Sequence, residues 1–266
     1  MSYLCSATKL CQTHSMEKIT IKNSLGQNIA AVVHYPETKT DKLAVLCPGN
    51  LDSKDYQHLV KLAEVLSARG YTAVRFDPAG TWESEGKTDL YTMTQYLKDV
   101  KSVLDFMLSQ KPYTEILLGG HSRGGQVSLL AAARDSRITK VLAIMPSSRR
   151  TINENQAIEW QKQGFRISQR DVQGSDVIKE YTLPYSHLVD QRSYDVETDV
   201  KNIHVPIVFI TGELEKTVLP EFVMEIFNRA NEPKKFINIP GIAHDYRKNL
   251  AEVEIVNREI LRALNL

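Results

Sequence analysis

Cysteine is scarce in this chain. Cys5, Cys11 and Cys47 are the only three in 266 residues. An odd number with no CxxC spacing excludes a disulfide framework and offers no zinc motif, which points to a reduced, cytoplasmic setting. Excess charge is also missing: 33 Lys and Arg against 32 Asp and Glu leave a formal +1. With no basic stripe, nucleic acid is not expected as a partner. No apolar run approaches the roughly 20 residues that cross a bilayer, so no membrane partner is expected either. The first fifteen residues lack the basic start and apolar core of a signal peptide. Residues 1–15 read as an N-terminal extension, mobile or the product of an upstream start codon, ahead of one domain over 16–266. There is no internal repeat and no low-complexity tract.

What is present centres on Gly119-Gly120-His121-Ser122-Arg123-Gly124-Gly125, which contains G-x-S-x-G. Thr114 to Leu118 before it reads as a buried strand, and Gln126 to Arg134 after it as a helix. A serine on a sharp strand-to-helix turn is a nucleophile elbow, with its hydroxyl raised above the sheet. Gly120 and Gly124 fall where a side chain would strike a neighbouring strand or helix. The alternative reading is a tight glycine turn carrying an idle serine.

The rest of the chain supplies a rhythm. Glu17–Lys22 and Ile29–Tyr35 read as a hairpin around Asn23 to Gln27. Strands are expected at 43–47, 72–76, 138–145, 206–211 and 235–239. Helices are expected at 56–69, 91–109, 219–230 and 251–264. Strands alternating with helices predict an α/β fold, a mostly parallel sheet with helices on both faces. The rhythm breaks between about 146 and 200, where Trp160, Phe165, Tyr181, Tyr185 and Tyr194 stand among many charges. Long structureless connections are uncommon unless they act as lids. This segment is therefore expected to be an insertion with its own short helices, placed as a cap over Ser122.

A serine hydroxyl needs a base, a group that orients the base, and donors for the oxyanion. Among seven histidines, His244 alone lies on a loop between a late strand and the last helix. Active sites of open α/β folds gather at such carboxyl ends of strands. His121, beside the serine, is expected to point away. The orienting acid should lie between Ser122 and His244 in the chain. Glu215 is favoured because it falls deeper in its loop, Glu213 is the alternative, and Asp245 is disfavoured by its adjacency to His244. The oxyanion donors are expected to be the backbone N–H groups of Arg123 and of Asn50, in the early loop Cys47-Pro48-Gly49-Asn50-Leu51.

These residues together resemble the α/β-hydrolase superfamily, from Met16 onward. The chain looks most like compact bacterial serine esterases of the cinnamoyl and feruloyl type with a short inserted cap. Gly241-Ile242-Ala243-His244 matches that family's G-x-x-H. Three stretches depart from it. Pro48-Gly49-Asn50 replaces the family's H-G and a following apolar residue. Asp77-Pro78-Ala79-Gly80-Thr81-Trp82-Glu83-Ser84-Glu85-Gly86 lacks the Arg and second Gly of D-x-R-G-x-G-x-S-x-G. Gly212-Glu213-Leu214-Glu215 supplies Glu where G-x-x-D is usual. Asn50 and Trp82 are both expected to border the pocket. The resemblance implies a serine esterase acting on carboxylic esters of small acyl or aromatic acids through an acyl-enzyme. Thioester or amide hydrolysis on the same residues stays open, as does a non-catalytic binding module of this fold. No cofactor and no metal is expected, the partner is a small-molecule ester, and a homo-oligomer is left open.

Overall fold

The computed structural model describes residues 15–266, so the expectation for residues 1–15 lies, except for Ser15, outside the described residues. Among the described residues, ten strands and eight α-helices follow in chain order. β1 (Met16–Lys22), β2 (Asn28–His34) and β3 (Lys42–Cys47) lead to α1 (Gln57–Ser67). β4 (Tyr71–Phe76), α2 (Met93–Gln110), β5 (Glu115–His121), α3 (Arg123–Ala132) and β6 (Lys140–Ile144) come next. The insertion then holds α4 (Glu154–Gln163), β7 (Phe165–Asp171), β8 (Ile178–Pro184), α5 (Ser186–Arg192) and α6 (Val196–Asp199). β9 (Ile207–Gly212), α7 (Pro220–Arg229), β10 (Lys234–Ile239) and α8 (Leu250–Leu264) close the fold.

Eight strands form one sheet in the order β1-β2-β4-β3-β5-β6-β9-β10. β1 and β2 are antiparallel to their neighbours, and the six from β4 to β10 run parallel. This is the expected mostly parallel α/β-hydrolase sheet. Its central strands are buried on both faces, which is why their sequences read as near-continuous apolar runs. Alternate residues divide between the two faces. Leu43, Val45 and Cys47 of β3 pack with α2, α3 and α7 on one side, while Ala44 and Leu46 pack with α1 and α8 on the other. Each fully buried Leu, Ile or Val on these faces contributes about 1.5–3 kcal/mol.

The insertion differs from expectation. It has short helices, but β7 and β8 also pair as a separate antiparallel hairpin. The helix before them is well signalled: Asn153 makes a capping box with Gln156, and Gly164 ends α4 in the left-handed region. β7 is harder to read because its polarity is reversed, whereas β8 buries Tyr181 and Leu183 in the usual way. Phe165, Ile167, Val177 and Ile178 face outward and are exposed, while Ser168, Tyr181 and Leu183 are buried. A search for apolar residues facing a core therefore finds the wrong face of β7.

Candidate active site

Ser122 follows β5 directly, with φ 56° and ψ −117°. The non-glycine residue is held there by its surroundings. Its N–H donates to the Ile144 carbonyl at 2.8 Å, and its carbonyl accepts from Gln126 and Ser147, each at 3.0 Å. Such strain costs on the order of 1–3 kcal/mol and persists only where the fold over-determines it. Glycine is required on both sides. A Cβ on Gly120 or Gly124 would fall on the Cys47 carbonyl oxygen. The elbow is thus wedged against the end of β3, whose Cys47 pairs with Gly120.

The loops after β9 and β10 bring two further groups to this point. His244 Nε2 lies 3.1 Å from Ser122 Oγ, and His244 Nδ1 lies 2.6 Å from Glu215 Oε2. The Glu215 side chain is fully buried. Its other oxygen accepts the N–H groups of Thr217 and of Val218, the latter at 2.9 Å, so the carboxylate is fixed by its own loop. Glu213 is exposed and instead accepts the Gly241 N–H at 3.0 Å. Asp245 is exposed and pairs with Lys248 at 2.8 Å. Of the three candidate acids, the structure therefore brings Glu215 alone to His244.

The Asn50 N–H makes no hydrogen bond among the described residues, and its carbonyl accepts from Arg170. The Arg123 N–H is the first amide of α3, one of those a helix leaves without an intrahelical carbonyl. Asn50, Arg123, Ser122 and His244 all line one cavity of about 410 Å³. Serine, imidazole, buried carboxylate and two amides left without a partner among the described residues can perform nucleophilic attack with proton transfer.

Two placements differ from the sequence reading. His121 does not turn away: its ring lies 4.5 Å from that of His244 between centroids, backed by His58 and Tyr246. Burial, and then the neighbouring His244 and His58, hold His121 well below the ordinary histidine range. It therefore stands against His244 as a neutral ring. Trp82 does not line the cavity. Its indole donates to the Leu51 carbonyl at 2.8 Å and packs on Tyr56 and Tyr181. Its φ of 43° turns it there. Tyr181 is likewise spent on this contact, its hydroxyl accepting the Trp82 N–H at 3.1 Å.

Two residues escaped the sequence reading altogether. Ser147 Oγ lies 3.2 Å from Ser122 Oγ. Its position just past the end of β6, beside the elbow strand, was a usable signal. Arg166 lines the cavity from β7, and nothing local distinguished it from a surface arginine.

Asp52, His58 and His121 place one donor atom each within 4.8 Å of one another. Asp52 Oδ2 is 3.9 Å from His58 and 4.0 Å from His121. Tetrahedral zinc would hold such donors about 3.4 Å apart. Guanidinium groups of Arg170 and Arg247 also stand 3.8 and 3.9 Å from Asp52, which opposes a cation there.

The sheet order and the loops it carries define an α/β-hydrolase, and its solved relatives share that fold. Est1E from Butyrivibrio proteoclasticus, solved with ferulic acid bound, superposes with a TM-score of 0.74 at 22% identity, covering 93% of this chain and 100% of that one. The α/β-hydrolase GrgF from Penicillium sp. sh18 gives 0.78 at 19% identity, covering 95% and 100%. In sequence, the mitochondrial palmitoyl-protein thioesterase ABHD10 of Rattus norvegicus is 22% identical over 217 residues, 80% of this chain and 71% of that protein. The Mus musculus protein of the same name is 24% identical, over 71% of this chain and 64% of its own. A family model described as serine aminopeptidase, S33 matches residues 38–186, more than half of the chain. The chain belongs to that family of serine hydrolases.

Proposed function

We propose that the protein is a serine esterase acting on carboxylic esters of small acyl or aromatic acids through an acyl-enzyme. The observation that carries this reading is the continuous chain Ser122 Oγ to His244 Nε2 at 3.1 Å and His244 Nδ1 to Glu215 at 2.6 Å. Ser122 attacks the carbonyl carbon while His244 takes the hydroxyl proton. Glu215, buried and held by two amides, keeps the imidazole oriented and stabilises its cationic form. The Asn50 and Arg123 amides receive the oxyanion. His244 returns the proton to the leaving alcohol, and water then repeats the cycle in reverse on the acyl-enzyme. No organic cofactor or metal enters these steps.

A thioester is opened by the same sequence of events, and relatives named as thioesterases favour keeping it as the second reading. The cavity speaks for a short or polar acyl group over a long alkyl chain. Arg123, Arg166, Gln156, Gln169 and Gln191 stand in its wall beside Ile152, Trp160 and Leu183. The partner in this reading is a small ester, with neither nucleic acid nor membrane involved. Among the described residues no helix is long and apolar enough to cross a membrane. The reducing cytoplasm remains our proposed compartment, although the relatives named above are mitochondrial.

A neutral fluorophosphonate should label Ser122, and Ser122→Ala should abolish labelling and lower turnover of aryl and alkyl esters by about a millionfold. Label on another serine, or unimpaired turnover by the alanine variant, would overturn the reading.

A further inference from the structure

The cavity in front of Ser122 carries unbalanced positive charge. Among the described residues, Arg123, Arg166, Arg170, Arg247 and Lys248 line it against Asp52, Asp171 and Asp245. The carboxylates are already engaged. Arg247 clasps Asp171 at 2.7 and 3.0 Å, and Lys248 holds Asp245 at 2.8 Å. Arg170 is anchored on the Asn50 carbonyl at 2.6 and 2.9 Å, and both it and Arg247 flank Asp52. Two cations are left over.

Arg123 is 6% exposed and has no carboxylate partner among the described residues. Its guanidinium donates only to neutral oxygens, Gln191 Oε1 at 3.1 Å and the Tyr91 carbonyl at 3.3 Å, and lies over the Tyr91 ring. Its buried Nε has no hydrogen-bond partner among the described residues. Arg166 reaches the same cavity from β7, 4.7 Å over the Trp160 ring, and its guanidinium makes no hydrogen bond or ion pair among the described residues. Burial, with Arg170 and Arg123 close by, pushes its pKa below the ordinary arginine range. Two guanidinium groups without a carboxylate partner in the partly dry wall of one cavity are unfavourable without an anion there.

The reversed polarity of β7 points the same way. Arg166 and Arg170 face the cavity, while Phe165 and Ile167 face solvent with 45% and 55% exposure. Burial alone would choose the opposite arrangement. Local choices that cost stability with no structural return are expected at functional positions.

We propose that Arg166 and Arg123 form an anion subsite, which binds a carboxylate or phosphate group carried by the substrate away from its scissile carbonyl. The planar guanidinium forks suit either oxyanion. The proposal rests on the esterase reading and narrows its substrate class to acidic esters. Arg166 is here a specificity residue, and the proton transfers at Ser122 do not involve it.

The test compares p-nitrophenyl hydrogen glutarate with p-nitrophenyl pentanoate, a near-isostere lacking the charge, and phenyl acetate with its 4-phosphate ester for the alcohol side. At least one acidic ester should exceed its neutral counterpart in kcat/KM by about 10–100-fold, the value of a charge-assisted pair. The preference should shrink with added salt. Arg166→Gln should remove most of it, chiefly through KM, and Arg166→Lys should retain part. Lys162→Gln, exposed on α4 and outside the cavity, should leave it unchanged. Binding of glutarate and of phenyl phosphate to the Ser122→Ala protein, followed by calorimetry, separates carboxylate from phosphate without needing turnover. Equal or better use of both neutral esters, or a preference untouched by Arg166→Gln with its thermal melt intact, would overturn the proposal. Labelling of Ser122 by a neutral fluorophosphonate reads the hydrolase assignment separately. If labelling and turnover both fail, loss of calorimetric binding in Arg166→Gln still supports the subsite, and absence of binding in the parent sinks it.

Discussion

Ser122 and Glu215 sit on backbone that the central sheet leaves no freedom, whereas the cap facing them is held by side chains, through apolar packing of Trp160, Tyr181, Leu183 and Leu188 and a set of polar contacts. On the sheet side, Gly120, Gly124, Cys47 and Ile144 fix the elbow through backbone contacts. On the cap side, the hairpin hangs on the Tyr56 hydroxyl to the Asp171 carbonyl, Arg247 to Asp171, Arg170 to Asn50, and Tyr181 to Trp82. Geometry set by backbone tolerates little variation and suits the reacting atoms. Geometry set by side chains can be rewritten one residue at a time and suits substrate choice.

The sharpest way to test that division is at the acid. Glu215→Gln keeps the shape but removes the charge that steadies His244, and turnover should fall by about ten-thousand-fold with the melt nearly unchanged. Glu213→Gln, which touches only the Gly241 amide, should change turnover by less than tenfold. Equal losses from the two would mean that the loop, and not the buried carboxylate, is what matters.

The sheet side should also show itself in the pH dependence of stability. Burial pushes His58 down to about 3 and His121 well below its ordinary range, so both are neutral when folded. Unfolded histidines gain protons below about pH 6.5. The stabilisation is therefore complete above that pH and is lost as pH falls toward the folded values, worth up to about 5 kcal/mol for His58. Denaturant midpoints between pH 7 and 4 should fall with pH, and His58→Gln should flatten the slope by up to about 1.4 kcal/mol per pH unit. An unchanged slope would mean that His58 is not the buried neutral ring described here.

Effects in the cap should be smaller and local. Trp160 is 4% exposed and donates to the Leu183 carbonyl at 3.0 Å. Trp160→Ala should cost about 3–5 kcal/mol in the cap. It should also alter the ranking of aryl against alkyl esters, while Ser122 still takes a fluorophosphonate. Ile167→Thr on the outer face should stay within about 0.5 kcal/mol. Loss of Ser122 labelling in the Trp160 variant would show that the cap and the elbow are one cooperative unit.

The sequence by itself determined the sheet and its helices to within a few residues, because parallel strands buried on both faces must be continuously apolar. It also determined the order of Ser122, an acid and His244, because G-x-S-x-G needs a strand before it and a helix after it. Only the tertiary structure decided between Glu213 and Glu215, which lie two residues apart on one loop. The choice depends on which carboxylate the turn at Thr217 and Val218 folds inward. The same holds for His121, Trp82 and the hairpin arginines. Their partners lie tens of residues away, and a local pattern carries no record of which neighbour a side chain will meet. The reversed face of β7 is the clearest case: its alternation was written in the sequence, but which side became the inside was set by the cavity it covers.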